Sequence, residues 1–141
     1  MSDHMSNTVF SSTFKAELEQ LDEVLAFLEG ALEELECPMK CSMQIPLAIE
    51  EAFVNVANYA YPQSEGEAEF SIEGEGSGVK IVLSDSGIPF DPLAKDDPDI
   101  TLSAEKRNIG GLGIFMVKKI MDKVEYSYTD GKNILTMYKN F

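Results

Sequence analysis

The chain has 141 residues, enough for one domain that buries most of its unfolded apolar surface without disulfide or metal staples. Its 25 acidic residues face 11 basic ones, and the formal charge of -14 repels phosphate backbones and anionic lipid, which argues against direct nucleic-acid or membrane binding. Apolar runs fall short of the roughly 18–20 residues that cross a bilayer, and the opening residues lack the basic and apolar regions of a signal peptide.

The chain is therefore expected to be cytoplasmic, with residues 1–7 a loose segment and residues 8–141 one domain. Residues 8–14 are rich in β-branched and aromatic types and predict a first strand. From Phe14 the period changes. Phe14, Leu18, Leu21, Leu25, Leu28, Leu32 and Leu35 alternate by four and three, the mark of one helical stripe, and acidic residues fill the positions between them. Cys37-Pro38 ends that helix. Cys37 and Cys41 are the two cysteines and His4 the one histidine, too few for a structural zinc site, so the cysteines read as reduced thiols.

A second helix is expected from about Ser42 to Tyr61, with Pro46 near its start and Pro62 ending it. Strands follow at Ala68 to Glu73 and Val79 to Leu83, joined by a turn over residues 74–78. Residues 86–110, with Pro89, Pro92 and Pro98, read as a long loop of the kind that serves as a lid. A third helix runs from Gly110 to about Asp122. Two strands, Val124 to Thr129 and Asn133 to Lys139, close the chain around Asp130-Gly131. The order β-α-α-β-β-loop-α-β-β predicts an α+β, two-layer α/β sandwich: a mixed sheet of about five strands with three helices on one face.

Three segments carry candidate chemistry. Glu51 and Asn55 lie four apart, so both project from one helical face, with Tyr59 a turn later; a carboxylate beside an amide oxygen can hold Mg²⁺ and orient a hydroxyl. Asp85-Ser86-Gly87 follows an apolar strand, where a buried carboxylate needs a donor such as an adenine amino group. Gly110-Gly111-Leu112-Gly113 opens a helix, whose free N–H groups suit phosphate. Taken singly, each has a plainer explanation: a solvated helix face, a turn aspartate, a glycine-rich turn. Their order along the chain makes the case.

That order resembles the N, G1 and G2 boxes of the GHKL ATPase superfamily, which includes gyrase, heat-shock chaperones, mismatch-repair ATPases and histidine kinases. Glu-Glu-Ala-Phe-Val-Asn (50–55), Asp-Ser-Gly-Ile-Pro-Phe-Asp-Pro (85–92) and Gly-Gly-Leu-Gly-Ile-Phe-Met-Val (110–117) look most like its bacterial anti-sigma factor serine/threonine-protein kinases. The resemblance implies the Bergerat ATP-binding fold with ATP and Mg²⁺ as cofactors. It implies Mg²⁺ coordination for Asn55 and a general-base or positioning role for Glu51. Asp85 would accept from the adenine amino group, with Gly87 letting the base approach. The N–H groups of Gly111, Leu112, Gly113 and Ile114 would hold phosphates, and Lys106 or Arg107 would neutralise the γ-phosphate. Tyr59 would reach the phosphates, and Thr136 would meet adenine through water. The implied partners are a sigma factor and a STAS-type anti-anti-sigma protein, with a homodimer possible in this branch. Pro89 replaces the second glycine of Asp-x-Gly-x-Gly, a departure that bears on the loop after it. Two other readings stand beside the kinase. One is a non-catalytic module that holds ATP and exchanges partners. The other is a histidine-kinase-type domain acting in trans, since His4 lies in no helical pattern.

Overall fold

The computed structural model describes residues 8–94 and 114–141. The strands are β1 (Val9–Lys15), β2 (Glu67–Glu75), β3 (Gly78–Asp85), β4 (Lys123–Thr129) and β5 (Lys132–Asn140); the helices are α1 (Leu21–Glu34), α2 (Met39–Tyr59) and α3 (Phe115–Ile120). The five strands form one sheet in the order β1-β2-β3-β5-β4. Every ladder is antiparallel, a correction to the expected mixed sheet. Of the four neighbouring pairs, β2–β3 and β4–β5 are hairpins, β1–β2 is joined through α1 and α2, and β3–β5 is joined through α3 and β4; none is parallel.

Two turns set the sheet register. Thr129 pairs with Lys132, so Asp130 and Gly131 form a two-residue turn with φ of 53° and 77°, the doubly positive geometry that matches strand twist. The β2–β3 turn is tighter than the sequence suggests. Glu75 already pairs with Gly78, and Gly76 takes φ 59°.

Phe14 belongs to β1, not to the first helix. It pairs with Ala68, and its ring meets Phe27 and Phe70 edge-on at 5.8 and 6.1 Å. A 3-10 turn at Leu18–Gln20 separates the strand from α1, which leaves Leu18 52% exposed. The buried face of α1 is Val24, Leu28, Ala31 and Leu32, with Leu21, Leu25 and Leu35 packed along its edge. α2 starts at Met39, earlier than expected, so Pro46 lies inside the helix. Its neighbours Ile45, Ala48 and Ile49 are fully buried, and that packing holds the helix through the missing N–H. α2 packs against both α1 and α3. The core lies between this helix layer and the inward residues of the sheet, among them Phe70, Ile72, Ile81, Leu83 and Met137.

The end of α1 is a six-residue Schellman closure. The N–H of Cys37 donates to Leu32 O and that of Glu36 to Glu33 O, both at 3.0 Å, with Glu36 in the left-handed region at φ 58°. A side chain there costs about 1 kcal/mol, and this one places a negative charge at the negative end of the helix dipole. Replacement Glu36→Gly is expected to raise the unfolding free energy by about 1 kcal/mol, seen in urea titration as a higher midpoint at unchanged slope.

Candidate functional site

A cleft of about 390 Å³, open to solvent, lies between α2, the ends of β3 and β5, and the start of α3. Among the described residues its lining includes Asn55, Val56, Asp85, Phe90, Ile114 and Asn133.

On α2 the buried positions Cys41, Ile45, Ala48 and Ala52 are spaced by four, three and four, and the next step of three lands on Asn55. An amide thus occupies a core position, 4% exposed, and lines the cleft. Polar side chains are placed so deep only when partners meet them. Tyr59, one turn on, is not part of the lining but stacks on Phe90, which is, with ring centroids 5.6 Å apart.

Asp85 ends β3 and is 7% exposed. Its Oδ1 accepts from Gly87 N–H at 2.8 Å and from Asn133 Nδ2 at 2.9 Å. Among the described residues no donor reaches Oδ2, so the cleft is lined by a carboxylate with acceptor capacity to spare. Gly87 has a reason of its own. A Cβ there would run into the carbonyl of Ala60 and stand 2.6 Å from its Cβ, while Ile88 N–H donates to the same carbonyl at 2.9 Å. The loop after β3 is pinned to the end of α2, and only glycine fits the contact.

Glu51 is turned elsewhere. It does not line the cleft; its Oε1 accepts from Val117 N–H at 2.9 Å, in the first turn of α3. Burial pushes its carboxyl above the ordinary value, and the N–H groups of Val117 and Met116 pull it partly back. One carboxylate of α2 thereby holds the start of α3, and Ile114, the residue before that helix, is buried against the cleft.

The structure therefore brings Asn55, Asp85, Gly87 and Ile114 to one place, with Tyr59 stacked on Phe90 outside the lining and Glu51 bonded to the start of α3. Lys106, Arg107, Gly110, Gly111, Leu112 and Gly113 lie outside the described residues. Thr136 does not join the site. Asn133, Leu135 and Met137 face inward along β5, so Thr136 is on the opposite face of the sheet, opposite Val82 and Glu125. The β5 residue at the cleft is Asn133, which sequence reasoning missed. Its signal was present: an amide in phase with Leu135 and Met137, paired in register with Asp85.

A model of the histidine kinase-like ATPase domain matches residues 14–139. The chain belongs to that family. The ATPase domain is also 29% identical over 103 residues to the serine-protein kinase RsbW of Listeria monocytogenes serovar 1/2a, covering 68% of this chain and 65% of the relative. It is 28% identical over 93 residues to the serine-protein kinase RsbW of Bacillus cereus strain AH820, covering 63% and 58%. The matches thus span less than two thirds of these relatives' own length. Among the described residues of the ATPase domain, no helix is long and apolar enough to cross a membrane, and no three His, Cys, Asp or Glu side chains form a metal cluster.

Two outcomes follow for the ATPase domain. Gly87→Ala is expected to cost about 1–3 kcal/mol of stability, because backbone rather than a flexible side chain meets the new methyl; thermal unfolding measures it. For Glu51 the sign runs against an ordinary carboxylate. Its folded value is raised, so between the ordinary 4.5 and that value the native state holds more protons than the unfolded chain, and stability falls as pH rises. Glu51→Gln should remove that slope, which appears as a stability difference between variant and parent that changes across this window and is constant above it.

Proposed function

We propose that this domain binds ATP with Mg²⁺ and transfers phosphoryl to a serine or threonine of an antagonist protein, as an anti-sigma regulatory factor. The observation that carries the nucleotide assignment is the buried Asp85 carboxylate, whose Oδ2 no donor reaches among the described residues, in the cleft that Asn55 also lines. The donor set fits the group. Oδ2 of Asp85 would accept an adenine amino N–H, the amide oxygen of Asn55 suits a hard cation, and Phe90, backed by Tyr59, lines the site. Phosphates would lie toward Gly111, Leu112, Gly113 and Ile114, with Lys106 or Arg107 as the neutralising cation. Bound Mg·ATP supplies the activated phosphoryl group and a cation that offsets its charge.

The resemblance to serine-protein kinases supports the transfer step and the identity of the partners: a sigma factor in one state and a STAS-type anti-anti-sigma protein in the other. The net charge of -14 suits basic protein partners in the cytoplasm. Glu51 is the residue assigned to the acceptor hydroxyl, as base or positioning carboxylate. Its raised carboxyl makes it a stronger base than a solvated glutamate. A second reading, ATP as a structural ligand of a partner-exchange module, is favoured by one observation: Glu51 Oε1 is already engaged by Val117 N–H.

Incubation with γ-labelled ATP and the purified antagonist separates the two. The kinase reading expects label on an antagonist serine or threonine, Glu51→Ala slowing transfer by about 10²–10⁴-fold and Asp85→Asn abolishing nucleotide binding. Tight ATP binding with no transfer, and Glu51→Ala indistinguishable from the parent, would overturn the kinase reading in favour of the module.

A further inference from the structure

Asn133 uses its whole hydrogen-bonding capacity inside the protein. Its Nδ2 donates to Asp85 Oδ1 at 2.9 Å and to Ile88 O at 2.8 Å. Its Oδ1 accepts from Phe90 N–H at 3.0 Å and from the Tyr126 hydroxyl. Two donors and two acceptor sites are all that an asparagine amide has, so the amide plane and its orientation are both set by the surroundings. At 5% exposure this residue joins the end of β3, the loop after it and β4 through one side chain.

Its consequence falls on Asp85. With Gly87 N–H and Asn133 Nδ2 both on Oδ1, the carboxylate cannot turn about its own axis without losing two bonds. Oδ2 is what remains for a ligand, and it is an acceptor. A 6-amino purine brings a donor to that atom. A 6-oxo purine brings a second acceptor and leaves two lone pairs facing each other in a buried place, which a polar site rejects strongly.

Resting on the nucleotide reading above, we propose that Asn133 is the positioning residue for base selectivity. It does not touch the base; it locks Asp85 so that the cleft takes adenine and refuses guanine or hypoxanthine nucleotides.

The test is a matched pair of substitutions in the full chain, Asn133→Thr and Asn133→Val. The two side chains share shape and strand preference and lose the bonds to Ile88, Phe90 and Tyr126 alike, so any cost to stability is common to both. They differ in one hydroxyl, which in threonine restores a donor to Asp85. Dissociation constants for ATP, GTP and ITP with Mg²⁺, by calorimetry or fluorescence, give the selectivity ratio, and circular dichroism checks the fold. The parent is expected to prefer ATP. Asn133→Thr should keep its ATP-to-GTP ratio within about threefold of the parent, and Asn133→Val should lose roughly tenfold or more of it. A parent that prefers ATP while Asn133→Val keeps the same ratio overturns the positioning role and leaves the nucleotide reading standing. A parent that binds none of the three nucleotides overturns both. Should Asn133→Val not fold, Asn133→Thr and Tyr126→Phe decide the matter: Tyr126→Phe frees one side of the Asn133 amide and should narrow the ratio, and a ratio unmoved in both variants overturns the role.

Discussion

Asp85 sits at the last position of β3 with 7% of its surface exposed, and a carboxylate that deep costs several kcal/mol unless donors reach it. Two do, from different directions. Gly87 N–H comes from the loop that Asp85 itself begins, and Asn133 Nδ2 comes across the sheet from the β5 residue in register with it. Meeting that requirement ties three things together: the β3–β5 ladder must hold its register, the loop must turn back at once, and Gly87 must lie against Ala60. A one-residue slip between β3 and β5 would put Ile134 where Asn133 stands and turn the amide to the other face. The solvation of one carboxylate therefore constrains the sheet, the loop and the end of α2 at once.

α2 is the element on which these constraints meet. Its carbonyl at Ala60 receives Ile88 N–H, its Asn55 lines the cleft, its Tyr59 stacks on Phe90, and its Glu51 holds the first turn of α3. α3 is six residues long, too short to persist without tertiary support. Two contacts from outside supply that support: Glu51 at its amino end and Lys139 Nζ, which donates to Ile120 O at 2.9 Å, at its carboxyl end. Each side chain has the charge that the helix dipole favours at its own end.

Much of this was legible in the sequence, and the limits have physical causes. The apolar period of α2 was readable, and so was the fact that Asn55 interrupts it. Asp130-Gly131 announced its hairpin because few other residues adopt two positive φ angles in succession. Phe14 was ambiguous because it fits a period of two and a period near four equally well. Only its pairing with Ala68 and its rings on Phe27 and Phe70 decide the matter, and those partners are remote in sequence. The engagement of Glu51 was out of reach for the same reason, since Val117 is 66 residues away. Asn133 and Thr136 were a different kind of miss. Both lie on a strand that alternates, and counting by twos from Leu135 would have placed the asparagine inward and the threonine outward.

The charge of the chain looks at first like an argument against an anionic ligand, yet net charge and local charge differ. Residues 17–36 carry Glu17, Glu19, Asp22, Glu23, Glu29, Glu33, Glu34 and Glu36 with no basic residue among them, whereas α3 carries Lys118 and Lys119 and no acid. No α1 residue lines the cleft. At physiological ionic strength exposed charges are screened over about 8 Å, less than the width of one helix, about 10 Å. The acidic helix therefore contributes little to the potential at the cleft. A strongly acidic exterior and a phosphate-binding site are compatible when the acids lie on a helix that the site does not use.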